Sequence, residues 1–92
     1  MLIREALPEE YPILIQNELD QFDSDWITLD DFDTKTAIVL VDQGEIVGHY
    51  MWYNDDQPYL YTLLINSKHR GKGYSKLLLK HFLGVKIGRA HV

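Results

Sequence analysis

The segment Arg70-Gly71-Lys72-Gly73-Tyr74-Ser75 lies between an apolar run and an amphipathic one, and it constrains the chain more than any other feature. A helix start presents backbone N–H groups without intrahelical partners together with a partial positive charge, so a glycine turn feeding a helix can surround an anion with donors. Gly71 and Gly73 have no Cβ to obstruct a close approach, and Lys68, Arg70, Lys72 and Lys76 add positive charge around the mouth. The ligand class implied is a polyphosphate. The order of glycines excludes a Walker A loop, which needs glycine, four residues, glycine, lysine and Ser or Thr, and it lacks the three-glycine dinucleotide fingerprint.

Periodicity around this loop predicts a mixed α/β chain. Leu2-Ile3-Arg4-Glu5-Ala6-Leu7 reads as a short strand ended by Pro8, and residues 9–22 carry Tyr11, Ile13, Leu14, Ile15, Leu19 and Phe22 at helical spacing. Thr28 or Asp30 is placed to cap a second, short helix. Ala37-Ile38-Val39-Leu40-Val41, the turn Asp42-Gln43-Gly44-Glu45 and residues 46–53 form a hairpin. Residues 59–65 are apolar enough for an interior strand. In the final helix Tyr74, Leu77, Leu78, His81 and Phe82 form one stripe, Lys76 and Lys80 face away, and Gly84 is the expected cap. The order is strand, helix, helix, strand, strand, strand, helix.

Ninety-two residues, 46% of them apolar, supply one small domain at most. The chain has no apolar run of about 18 residues that would span a bilayer, and its N-terminus lacks a signal-peptide pattern. A soluble, cytoplasmic protein that engages neither membrane nor nucleic acid is therefore expected. With no cysteine and four scattered histidines, metal chemistry is not expected. Residues 1–33 hold ten acids and one base, while residues 68–80 hold five bases and no acid. Such lopsidedness draws an anionic ligand to one end and a cationic one to the other.

The C-terminal Ile87-Gly88-Arg89-Ala90-His91-Val92 matches an in-frame translation of a sequencing-adapter oligonucleotide, and Lys86 fits the same frame. Residues 86–92 are accordingly read as a non-native tail, and residues 1–85 as the N-terminal part of a longer domain.

The loop resembles the coenzyme A motif of the Gcn5-related N-acetyltransferase family: Gln or Arg, two residues, Gly, one residue, then Gly or Ala, after a strand and opening a helix. Arg70 and Gly73 hold the matching places, and Ser75, also small, takes the last one. The resemblance extends over residues 1–84 through Ile3-Arg4-Glu5-Ala6, the acidic helix, the hairpin with Ile46-Val47-Gly48 and the approach Ile65-Asn66-Ser67-Lys68-His69-Arg70. It implies a truncated fold of that family, with a mostly antiparallel sheet flanked by helices.

It further implies transfer of an acetyl group from acetyl-coenzyme A to a primary amine. Leu63, Leu64 and Ile65 would lie beside the pantetheine arm, and Arg70, Gly71, Lys72, Gly73, Tyr74 and Ser75 around the pyrophosphate. Some relatives place a glutamate base near the start of the central strand; here that place holds Tyr59, with Asp55 and Asp56 just upstream. The catalytic acid and base stay unassigned, the tyrosine that often protonates the thiolate belonging to the part beyond residue 85. His49 and His81 read as packed or surface residues, and the aromatics Tyr50, Trp52, Tyr53, Tyr59 and Tyr61 split between core and a substrate groove, with core for most. The truncated chain is expected to leave its central strand as an exposed apolar edge and one flank of the last helix uncovered, and so to be inactive and poorly soluble. Two readings compete: a non-catalytic acyl-coenzyme A-binding or regulatory module, and a nucleic-acid contact through residues 68–72, which the net charge of -5 disfavours.

Overall fold

A computed structural model describes residues 1–23 and 25–90, with the backbone alone for 88–90. The elements run β1 (Leu2–Glu5), α1 (Tyr11–Phe22), α2 (Asp31–Thr34), β2 (Lys35–Asp42), β3 (Glu45–Tyr53), β4 (Leu60–Ile65) and α3 (Tyr74–Ala90), with single 3-10 turns at Pro8–Glu10 and Ser67–His69. The four strands form one antiparallel sheet in the order β1-β2-β3-β4. This is the mixed α/β layout and element order that the periodicity predicts.

Alternation on β2 explains the layers. Ala37 and Val39 join Leu14, Ile27, Ile46 and Met51 beneath α1, while Ile38 and Leu40 join Tyr50, Trp52, Ile65, Leu78 and Phe82 beneath α3. Both faces of the sheet are covered, which is why β2 and β3 are apolar in succession instead of alternating with polar residues. The hairpin turns on Gln43 at φ 52° and Gly44 at φ 78°, the pair of positive dihedrals that matches strand twist in a two-residue turn. Buried Tyr50 shares a 2.7 Å hydrogen bond with His81 Nδ1, tying β3 to α3, and burial pushes its phenol up to about 12.

Among the described residues β4 is the exposed edge of the sheet, as expected for the central strand of the truncated chain, and helices shelter its side chains on the two faces. Other sequence expectations change. Thr62 pairs with Met51 and Leu60 with Trp52, which leaves Tyr61 as an extra, bulged residue. Gly84 does not cap α3, which continues to Ala90; Val85, packed against the α3-side core, holds the next turn in place. Leu77 stands 40% exposed outside the buried stripe of Tyr74, Leu78 and Phe82, because the helix rotates its i, i+4, i+8 row onto the sheet. Asp30 occupies the N-cap of α2 without a capping bond, and Asp31 instead accepts from Thr28 N–H at 2.9 Å. Of the tail read as non-native, residues 86–90 extend α3, and His91 and Val92 lie outside the described residues.

Candidate functional site

The loop leaves β4 through the 3-10 turn, passes Gly71 at φ 81° and Gly73 at φ 79°, and enters α3 at Tyr74. Both dihedrals are ones that side-chain-bearing residues rarely adopt, and the space a Cβ would take at either position is open. The first described helical bond joins Leu77 N–H to Gly73 C=O at 3.4 Å, so the N–H groups of Tyr74, Ser75 and Lys76 belong to the unsatisfied first turn.

Below the loop lies a cavity of about 340 Å3 lined by Leu63, Leu64, Ile65, Arg70, Gly71, Gly73, Tyr74 and Ser75, with Gln21, Phe22 and His69 completing the wall. Eight of the nine residues predicted to bind cofactor thus meet at one concavity; Lys72 is exposed at the loop tip and does not line it. The cavity follows the open edge of β4. Asn66 N–H bonds Val47 C=O at 2.9 Å, so by alternation Leu64 and Thr62 turn their backbone groups toward β3 while Leu63 and Ile65 turn theirs outward. Arg70 Nε donates to the outward Ile65 carbonyl at 3.2 Å, which leaves the Leu63 amide and carbonyl facing the cavity.

Not every predicted contact is made through a side chain. Tyr74 turns inward, is buried, and donates its hydroxyl to Asp42 Oδ2 at 3.2 Å, pinning the helix start to the hairpin; burial and that carboxylate push its phenol up. Only its backbone serves the loop. Lys68, placed by the sequence among the mouth cations, instead pairs with Glu45 at 2.6 Å, and His69 lies 3.3 Å from the same carboxylate. The hydrogen bond from Lys68 holds the Glu45 carboxyl below its usual range. The basic run 68–72 therefore does not form one continuous cationic surface. Gly48 is required by close packing, since a Cβ there would come within 2.6 Å of Ile65 Cδ1 and 3.0 Å of Leu64 O. The glycine lets β4 lie close at the floor of the cavity.

Asp55, Asp56 and Tyr59 sit together in an exposed dent beyond the other end of β4, and none of them lines the cavity. The carboxylate that does reach β4 comes from α1. Glu18 Oε1 accepts a 2.8 Å bond from Thr62 Oγ1 and lies 2.8 Å from His49 Nε2, with Glu18 1% and His49 0% exposed. Sequence reading missed this group, although Glu18 falls on the row of Tyr11, Leu14, Ile15 and Phe22 and so stands where an apolar residue is expected. A charged residue on a core row is the signal that would have found it.

The fold and this site define an acyl-transferase-type domain: a two-glycine anion cradle at a helix start, continuous with the open edge of an antiparallel strand. The family model of the Acetyltransferase (GNAT) family matches residues 2–91, and the chain belongs to that family. Among solved structures, an aminoglycoside 6'-N-acetyltransferase complexed with coenzyme A superposes with a TM-score of 0.81 at 19% identity, covering 98% of this chain and 57% of that one. An IAA acetyltransferase from Bacillus cereus gives 0.77 at 19% identity, covering 97% and 59%. A ribosomal-protein-alanine N-acetyltransferase from Brucella melitensis gives 0.73 at 16%, covering 97% and 73%. At such identities the likeness is one of fold, and the chain spans 57% of the length of the first of these structures. No curated protein matches this chain.

Proposed function

We propose that residues 1–85 carry the cofactor-binding part of an N-acetyltransferase that moves the acetyl group of acetyl-coenzyme A to a primary amine. The observation that carries this reading is the cavity of about 340 Å3 that joins the Gly71 and Gly73 cradle to the outward-facing backbone of Leu63. The coenzyme A complex of the aminoglycoside 6'-N-acetyltransferase that shares the fold supports it.

Acetyl-coenzyme A supplies an acetyl thioester. The N–H groups at the start of α3 and the glycine backbone take the pyrophosphate oxygens, and the Arg70 guanidinium lies alongside. Leu63 offers its edge amide to the thioester oxygen, where charge builds as the amine attacks. The amine nitrogen bonds to the acetyl carbon, the C–S bond breaks with its electron pair on sulfur, and the proton shed by the nitrogen balances the thiolate. Leu64, Ile65 and the backbones of Lys72, Tyr74 and Ser75 complete the binding set.

Calorimetric titration with coenzyme A tests the reading. One-to-one binding is expected, at least about tenfold weaker for Gly73→Ala, whose Cβ would enter the cradle at a strained dihedral. Heat-silent titration by the folded chain would refute it, and coenzyme A binding without acetyl transfer to amines by the product of the full gene would identify a non-catalytic module.

A further inference from the structure

Resting on the acetyl-transfer reading, we infer that the acceptor is an amine carrying an aromatic ring, held by a wall of side chains that leads away from the cofactor cavity. Phe22 lines the cavity. Its ring meets Trp26 edge-on at 5.9 Å, Trp26 meets Tyr61 at 5.1 Å, and Tyr61 meets Tyr53 edge-on at 5.2 Å. Tyr61 is the bulged residue of β4, two positions from the outward amide of Leu63. The rings thus form one surface beginning at the cavity and running along the α1 side of the strand where acetyl transfer would occur.

The two ends of this surface differ. At the far end Lys35 Nζ sits 4.5 Å over the Tyr61 ring and 4.8 Å over that of Tyr53, and pairs with Asp31 at 3.0 Å. That end is filled by the protein's own ammonium. At the near end Phe22 is 49% and Trp26 40% exposed, so two large rings already set edge to face present the rest of their area to solvent beside the cavity. Adjoining exposed rings beside the cavity offer a ligand a flat apolar surface. Charge selects the occupant: Asp23 directly follows Phe22, Asp25 directly precedes Trp26, and both are exposed. An ammonium with an aryl body adds ring-on-ring contact to its charge, whereas a polyamine meets the rings through its charged nitrogens alone and a neutral arene leaves the carboxylates unmet.

The full chain reports on this directly, because Trp26 is exposed while Trp52, the second of its two tryptophans, is buried. Titration with phenethylamine is expected to change Trp26 fluorescence saturably, with an affinity at least about fivefold above those of butylamine and spermidine, and Phe22→Ala is expected to weaken it about fivefold. Circular dichroism checks whether this half-exposed substitution leaves the fold intact, and Phe22→Leu, apolar without a ring, provides the second variant. No saturable change, spermidine or butylamine binding as tightly, or an unaltered affinity in both Phe22 variants would overturn the inference. Coenzyme A titration of the same samples separates the two readings: amine binding without coenzyme A binding removes acetyl transfer and keeps the wall, while the reverse removes the wall alone.

Discussion

Glu18 of α1 and His49 of β3 face each other across 2.8 Å in the interior, and Thr62 of β4 donates to the same carboxylate oxygen. Three elements are tied at one buried point, directly behind the strand that floors the cavity. Removing one partner of such a contact leaves a buried polar group unsatisfied, so Glu18→Ala, which strips both His49 and Thr62 of their partner, is expected to lower stability by about 1–3 kcal/mol, and Thr62→Val by about 1 kcal/mol. Urea denaturation followed by circular dichroism measures both; a Glu18→Ala loss below that of Thr62→Val would contradict the arrangement.

Arg4 and Glu10 form a two-pronged pair at 2.8 and 2.9 Å, and Glu10 also accepts the Leu7 amide at 2.8 Å. The hydrogen bond from Arg4 holds the Glu10 carboxyl down at about 2, against an ordinary value of 4.5. A depressed folded-state value means the unfolded chain binds the proton more readily, so this contribution is complete above pH 4.5 and is lost as pH falls toward 2. In Glu10→Gln the urea midpoint should fall relative to the parent at pH 6, and the gap should narrow between pH 4.5 and 2.

Gly48→Ala tests the floor of the cavity. Its Cβ would press on the Leu64 carbonyl, which is backbone and cannot swing aside, as well as on Ile65 Cδ1. Overpacking of this kind costs about 1–3 kcal/mol, and the shift of β4 should also weaken coenzyme A binding. Thermal denaturation with and without coenzyme A reads both effects.

The open edge of β4 and the exposed row Leu79, Leu83 and Ile87 on α3 lie on the same domain. Unpaired strand backbone beside apolar side chains promotes self-association. Sedimentation velocity is expected to show mass rising with concentration, and Leu83→Lys to reduce it; a monomer at every concentration would count against this.

What the sequence by itself determined is local. Gly71 and Gly73 specify a backbone that other residues resist, Gln43-Gly44 specify a two-residue turn, and period-two and period-3.6 apolar patterns specify the order of strands and helices. Each follows from dihedral preference or from the need to bury one face, and both act over a few residues. The tertiary structure decided what depends on distant partners. It drew Lys68 away to Glu45, turned Tyr74 inward to Asp42, and joined Glu18 to His49 across 31 positions. It also set Phe22, Trp26 and Tyr61 in one surface. A charge or ring has no local pattern that names its partner; only the packing of α1 and α3 on opposite faces of one sheet brings those groups within reach.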